Sequence, residues 1–505
     1  MPVFSILPAD VLLHVISFLD HSGDVYSLSL LSPSLFTLIH GNDLVNKTKY
    51  RCIRITCTPD LKHAYTILLD ILRDRNLASY VRHIEMDIPV RSPLNYKPRE
   101  YDRPVDPDDM QRLRIAATRA GFIGPEQERL LNMAMQETDY AKDWQYLTYY
   151  KYASYYYHYK HDISNPASTQ EDAYHGKSPF IAQALAVLLI ASSPNLTSLA
   201  ISPPFWEYTS PRFDDPSDNH HSAAKIEKYP LAKFLQRASL GHFIKNGEKR
   251  VSYLAHLKYF QILTTEASSF HIARSRACAP QDLCLCIELV RTLPNIESLR
   301  MQAIQGFGTA TSAALEGLLL PSSASISRLD LRGCDFKSDL LCKVIHAMKC
   351  LKELRYSVVH GGCYAGFAEF FDRCSLIKAV LRHRATLEVL DLEFDDHLSH
   401  FVAAGGSEVR EDAEDESVLK EFESLKSLSL GVSCLWYLAT RMGELGDIVL
   451  VDHLPLQLEY LRIRGYEKGH TKALDNMLVG MESARDKHPA LWTVQGINEY
   501  IPVGK

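Results

Sequence analysis

The sequence predicts an α/β protein in which a short helical module is followed by an irregular series of strand and helix units. Three observations support this fold class: apolar residues at helical spacing near the start of the chain, nine later segments with a shared apolar pattern, and helix-like stretches between several of them. At 505 residues, the chain is also longer than one compact core usually supports. We therefore expect several domains or one repeat architecture.

The helical module is predicted over residues 1–50. After Pro8 and Asp10, which favour a helix start, apolar residues recur at helical spacing. They are Val11, Leu12, Val15, Ile16 and Leu19. Ser22 and Gly23 predict a turn, and a second apolar run is interrupted by a helix break at Pro33. The second run contains Val25, Leu28, Leu31, Leu35 and Ile39. The pattern predicts three short helices.

This segment resembles an F-box over about residues 4–45. The residues that carry the resemblance are Leu7-Pro8, Asp10, Leu12, Ile16, Leu19-Asp20, Asp24, Leu28 and Leu31-Ser32. The resemblance implies that the module docks on a Skp-type linker and, through it, on a cullin. The residues then expected to bind the linker are Leu7, Pro8, Val11, Leu12, Ile16, Leu19, Leu28 and Leu31. A module this small has more apolar positions than its interior can hide, which favours a partner. A different interpretation is that the helices only cap the repeats that follow.

Nine segments share the apolar pattern L-x-x-L-x-L. They are Val81/Ile84/Met86, Leu196/Leu199/Ile201, Leu257/Phe260/Ile262, Ile296/Leu299/Met301, Ile326/Leu329/Leu331, Leu351/Leu354/Tyr356, Leu387/Leu390/Leu392, Leu425/Leu428/Leu430 and Leu458/Leu461/Ile463. From Leu299 onwards the central residues are 30, 25, 36, 38 and 33 positions apart. Such periods indicate stacked units, because each unit is too small to bury its own apolar face.

Helix-like stretches lie before several of these segments, at Phe180–Ala191, Asp282–Leu293, Ser338–Lys349 and Phe367–His383. Together with the phrases LPNIESLRM and ISRLDLRGC, they resemble a leucine-rich-repeat solenoid over about residues 180–486. In that family the position of Cys334 often caps the turn after the strand.

The remaining boundaries follow from composition. Residues 51–179 are expected to hold the first repeat and an insertion, which is helical around Asp109–Met135 and tyrosine-dense over Tyr140–Tyr159. Residues 180–505 form the predicted solenoid, with an acidic loop near 405–416.

Residues that alternate with the buried leucines should point out from the strands and form a ladder of polar side chains. We expect the ladder to contain Arg300, Arg328, Asp330, Arg332, Glu353, Arg355, Asp391, Glu393, Ser429, Tyr460, Arg462 and Arg464. Two interpretations remain open: the charges pair across neighbouring strands, or the surface binds a client protein.

No catalytic residue, cofactor or metal site is predicted, because the sequence contains no phosphate loop, dinucleotide fingerprint, zinc-protease helix or nucleophile elbow. A less favoured alternative is an enzyme with its site around His158, His161 and the loop Asp395–His400. The net charge of -6 argues against nucleic acid as a partner, and the longest apolar run, Ile181–Ala191, is too short for a bilayer.

The 11 cysteines contain no C-x-x-C pair, which is typical of a reducing compartment, so the cytoplasm or nucleus is expected. The F-box resemblance implies a substrate-recognition subunit of an SCF-type (cullin-RING) ubiquitin ligase that holds a client near the conjugating enzyme. The main alternative is a non-catalytic repeat scaffold without a ligase role.

Overall fold

The computed structural model describes most of the helical module and of the predicted repeats. The described residues are 7–19, 22–56, 58–88, 105–136, 178–202, 229–240, 254–263, 287, 290, 293–302, 320–334, 338–358, 373–393, 418–432, 434–435, 449–470 and 472–502. Several predicted features lie outside them: the tyrosine-dense stretch, the acidic loop, His158, His161 and Asp395–His400. The chain divides into two compact units, the first built mainly from Met1–Trp206 and Asp215–Thr265 and the second mainly from Ile296–Lys505.

The first unit begins with four short helices. They are α1 Ala9–Ile16, α2 Ser22–Ser29, α3 Pro33–Gly41 and α4 Leu44–Arg51. Their common core consists of Leu12, Ile16, Val25, Leu35 and Ile39, with Leu19, Leu28, Leu38, Leu44 and Val45 packed against it. The sequence predicted three helices. It missed α4 because that segment is polar and shows little apolar periodicity. The helix begins after Asp43, which has a φ of 54°.

Four parallel strands follow in the first unit. They are β1 Cys52–Ile55, β2 His83–Met86, β3 Ser198–Ile201 and β4 Tyr259–Ile262. Each pairs with the next in register, so that two apolar columns run across the strands. The columns are Ile53/Ile84/Leu199/Phe260 and Ile55/Met86/Ile201/Ile262. Parallel strands covered by helices bury this face and explain the apolar pattern.

Within the described residues, six helices lie between these strands in the chain. They are α5 Thr58–Arg73, α6 Arg75–Ala78, α7 Pro107–Arg119, α8 Pro125–Ala134, α9 Ser178–Ser192 and α10 Pro230–Leu240. Helix α9 is apolar on every side because α5, α7, α8 and α10 all pack against it. Helices α7 and α8 lie in the stretch around Asp109–Met135 that was expected to be helical. Asp109 of α7 is buried and pairs with Arg73 at 2.5 Å, and this guanidinium lowers the pKa of the carboxyl.

The second unit contains seven parallel strands. They are β5 Ser298–Gln302, β6 Arg328–Cys334, β7 Glu353–Val358, β8 Val389–Glu393, β9 Ser427–Gly431, β10 Tyr460–Arg464 and β11 Thr493–Gln495. Two apolar columns also run across these strands, Leu299/Leu329/Leu354/Leu390/Leu428/Leu461/Val494 and Met301/Leu331/Tyr356/Leu392/Leu430/Ile463.

Helices and single 3-10 turns connect the strands of the second unit. The helices are α11 Ser338–Ala347, α12 Arg373–Leu381, α13 Lys472–Met477 and α14 Ala484–Lys487; the 3-10 turns are Val418–Glu421, Leu450–His453 and Met481–Ser483. The fold is therefore mixed α/β with parallel strands, as predicted. Cys334, expected to cap a turn, is the buried last residue of β6, and its Sγ lies 3.6 Å from the carbonyl oxygen of Arg332.

All nine L-x-x-L-x-L segments contain a strand, β2 to β10. The sequence missed β1 and β11. The strand β11 pairs only with β10 among the described strands and is only partly buried, so fewer apolar residues are needed to hold it.

A side-chain hydrogen bond recurs at the residue just before five of these segments. In each case the side chain donates to a backbone carbonyl of the preceding strand-helix unit. The pairs are Asn195 to Ser79, Asn295 to Ala255, Thr386 to Leu351, Ser424 to Ala385 and Gln457 to Phe422. The common position in five segments indicates a structural repeat, although the donor residue varies. We call these five bonds the inter-repeat ties.

Candidate functional site

The first candidate site is an apolar surface on the helical module. Half of the exposed large hydrophobic side chains in the described residues lie between positions 7 and 36. We call this set the apolar helical surface: Leu7, Val11, Val15, Phe18, Tyr26, Leu30, Leu31 and Phe36. Clustered apolar exposure of this kind marks binding sites more often than scattered exposure does.

Helix α1 and the turns flanking it carry two apolar stripes. One stripe, Leu12, Ile16 and Leu19, packs into the core of the module. The other, Leu7, Val11, Val15 and Phe18, has spacings of 4, 4 and 3 residues and therefore lies along one face of the helix. Phe18 is 70% exposed, whereas Ile16 is 2% exposed. The second stripe has no cover within the described part of the chain.

The predicted linker-binding residues divide between these two environments. Leu7, Pro8, Val11 and Leu31 are exposed. Leu12 and Ile16 are buried, and Leu19 and Leu28 pack partly against them, because they form the interior of the module. The residues that a partner can touch therefore also include Val15, Phe18, Tyr26, Leu30 and Phe36, which the prediction omitted. The sequence shows the helical spacing of both stripes. It does not show which stripe faces the core, because the two stripes are offset by only one position along the chain.

The turn between α2 and α3 presents two of these side chains. The hydroxyl of Ser32 accepts a hydrogen bond from the backbone amide of Leu35 at 3.2 Å and caps α3, which Pro33 then begins. Because the cap fixes where the chain turns, Leu30 and Leu31 stay outside the core and are 63% and 58% exposed.

Helix α4 connects the module to the rest of the first unit and is also hydrogen-bonded to the end of α1. The Arg51 guanidinium donates to the carbonyl of Ser17 at 2.9 Å. The hydroxyl of Tyr80 donates to Asp43 at 2.8 Å, and α4 runs directly into β1. These contacts hold the module without covering the apolar helical surface.

The second candidate site is the ladder of polar side chains on the strands of the second unit. Six of its residues form a continuous chain of ion pairs across β5, β6, β8 and β10. The order is Arg300, Asp330, Arg332, Asp391, Arg464 and Glu393. The nitrogen–oxygen distances between successive residues are 3.6, 2.7, 2.6, 2.7 and 3.4 Å. Arg328 and Arg355 both pair with Glu353, at 3.2 and 3.8 Å. The interpretation that these charges pair across strands describes most of the ladder.

Arg464 is the most deeply buried member of this chain, with a side chain only 2% exposed. It lies on β10 but pairs with carboxylates on β8, two strand spacings or about 10 Å away. Gly431 occupies the position of β9 opposite Arg464. Because glycine has no side chain, the arginine can extend across β9. This places Arg464 out of reach of a client in this structure.

Asp391 receives both Arg332 and Arg464 on its two carboxylate oxygens. Burial alone would raise the pKa of Asp391, but the positive charges of the two arginines outweigh it and lower the pKa. The carboxylate is therefore held in its charged form, and its own charge is neutralised by its partners.

Arg462 differs from the other five arginines of the ladder, since within the described residues it forms no ion pair. It is partly exposed, and it lies opposite Ser429, whose hydroxyl is buried and has no hydrogen-bond partner. Tyr460, two residues earlier, donates its hydroxyl to Gln495 at 2.7 Å. This end of the ladder keeps a positive charge that no described residue neutralises.

Comparisons with known proteins add no family to this description, because no protein-family model and no curated protein matches the sequence. Among the described residues there is no group of three or more side chains that could hold a metal ion. No helix in the same part of the chain has both the length and the apolarity that a bilayer crossing requires.

Proposed function

We propose that this protein is the substrate-recognition subunit of an SCF-type ubiquitin ligase, with the helical module bound to a Skp-type linker and the strand ladder facing a client protein. The observation that carries the proposal is the apolar helical surface. The F-box resemblance of the same residues names the partner that this surface would take.

In this role the protein itself needs no reactive side chain. Holding a client at a fixed position beside a conjugating enzyme raises the effective concentration of the reacting groups. Two hydrogen bonds support this role: that of Arg51 to Ser17 holds α1 against α4, and that of Tyr80 to Asp43 holds the module against the segment before β2.

Substitution on the exposed stripe tests linker binding. We expect Val11→Asp or Leu31→Asp to abolish co-purification of the full chain with a co-expressed Skp-type linker, because each places a charge in an apolar interface. The matched control is Ile123→Asp, at a side chain that is 68% exposed and lies outside the module. Circular dichroism of each variant establishes that the fold is retained.

Two results would contradict the proposal. One is that the three variants co-purify with the linker equally well. The other is that the unaltered chain binds no Skp-type linker, which would favour the alternative of a non-catalytic repeat scaffold. Leu12→Asp is unsuitable as a test because Leu12 lies in the core, and its loss would unfold the module whatever the module binds.

The client surface is proposed at the Arg462 end of the ladder, because that arginine forms no ion pair with any residue that the structure describes. Affinity purification of the full chain from native cells, followed by mass spectrometry, would identify the linker and the client together. We then expect Arg462→Gln to weaken client capture, whereas Arg300→Gln, at an exposed arginine with a carboxylate partner, should leave it unchanged. Equal capture by both variants would place the client elsewhere.

A further inference from the structure

The first unit contains a cavity whose lining carries positive charge only. Its volume is about 660 Å³. The lining residues are Ser17, Lys47, Arg51, Ser79, Tyr80, Arg82, Asn195 and Thr197. They come from the helical module on one side and from the segments before β2 and β3 on the other. Among the described residues, no acidic side chain belongs to this lining; the nearest one shown is Asp43, which accepts the hydrogen bond of the Tyr80 hydroxyl.

The three cations of this cavity lack carboxylate partners within the described part of the chain. Elsewhere in the first unit, arginines do pair with acids, as Arg54 does with Glu85 at 3.0 Å and Arg237 with Glu126 at 3.0 Å. Three like charges that converge on one cavity repel one another unless an anion neutralises them.

Hydrogen bonds to backbone carbonyls hold two of these cations in place. Arg51 donates one nitrogen to the carbonyl of Ser17, and Arg82 donates one nitrogen to the carbonyls of Ser79 and Val81. Each guanidinium has five N–H donors, so most of them stay available. The ammonium group of Lys47 makes no hydrogen bond to any described residue and lies 5.9 Å from the centre of the Tyr80 ring.

We infer that this cavity binds a small molecule that carries two or more phosphate groups. Phosphate oxygens accept several charge-assisted hydrogen bonds from arginine and lysine, and the cavity is several times larger than a single phosphate. Since the lining joins the module to the segments before β2 and β3, the bound anion also fastens the module in one orientation.

Titration calorimetry of the full chain with tripolyphosphate tests this site, with inorganic phosphate compared at equal ionic strength. We expect saturable binding of tripolyphosphate that is at least about tenfold tighter than binding of phosphate, because several cations engage at once. Lys47→Gln should weaken tripolyphosphate binding about tenfold, and Arg51→Gln at least as much. The matched control, Lys62→Gln, changes an exposed lysine of α5 outside the cavity and should leave the affinity unchanged.

Three results would overturn the inference: no saturable heat with tripolyphosphate, equal weakening by Lys62→Gln and Lys47→Gln, or tighter binding of a single-stranded oligonucleotide than of tripolyphosphate. The last would assign the charges to a nucleic-acid backbone. Lys47→Gln removes no hydrogen bond, so a loss of affinity in that variant reports on the ligand and not on folding.

Discussion

The helical module and the charged ladder differ in whether their most conspicuous side chains find partners among the described residues. In the module the polar groups are largely satisfied, and the apolar helical surface lacks a cover within the described residues. In the ladder the apolar columns are buried, and the charges that look available in the sequence pair with one another. An exposed stripe of leucine, valine and phenylalanine therefore points to a partner more directly than a row of arginines does.

The largest expected effect breaks the ladder at its buried end. Arg464→Met removes the buried guanidinium that pairs with Asp391 and Glu393, so the free energy of unfolding should fall by about 3–5 kcal/mol. Chemical denaturation of the full chain, monitored by near-ultraviolet circular dichroism, measures the change. Arg300→Met removes an exposed pair and should cost at most about 1 kcal/mol. Similar losses in both variants would show that burial does not distinguish the two ends of the ladder.

The next effect separates the two stripes of α1. Ile16→Ala should lower the local stability of the module by about 2–4 kcal/mol, because it leaves a cavity in the core. Phe18→Ala removes a larger side chain but should change stability by less than about 0.5 kcal/mol, because Phe18 is exposed. Hydrogen exchange at the backbone amides of α1, α2 and α3 reports both values. A larger loss of stability in Phe18→Ala than in Ile16→Ala would mean that other residues of the chain cover this stripe.

The smallest effect is expected from acid titration of the ladder. The pKa of Asp391 is lower in the folded state than in the unfolded chain, so its contribution to stability is complete above the unfolded value of about 4 and is lost as the pH falls through the folded value. Thermal unfolding between pH 5 and pH 3 should therefore show a smaller loss of stability in Asp391→Asn than in the unaltered chain. An identical pH dependence would mean that other carboxylates control acid unfolding.

The sequence predicted the elements with strong apolar periodicity and missed those without it. All nine strand segments and the helical insertion were found, because each buries an alternating or helical apolar set. Strand β11 and helix α4 were missed, since partial burial leaves them with fewer apolar residues than the pattern requires. Strand β1 was missed although Ile53 and Ile55 are buried, because its apolar spacing begins at an aromatic residue, Tyr50, and not at an aliphatic one.

The candidate sites were predictable only in part. The sequence located the module's surplus of apolar residues, but a shift of one position along α1 decides whether a side chain faces the core or solvent. It also located the ladder but not its pairing, because the contact of Arg464 with Asp391 spans 73 residues and depends on a glycine in the strand between them. The cavity with Lys47, Arg51 and Arg82 left no local signal, since its residues come from four separate stretches of the chain.

The inter-repeat ties have a consequence for how rigidity is distributed. Each tie, such as that from Thr386 to Leu351, joins one strand-helix unit to its immediate predecessor and contributes nothing to the apolar columns inside either. Thr386→Val should therefore increase the flexibility between these two units and leave the contacts between the other units unchanged. The flexibility between two neighbouring units can in this way be changed separately from that of the other units, and without altering the side chains that face a partner.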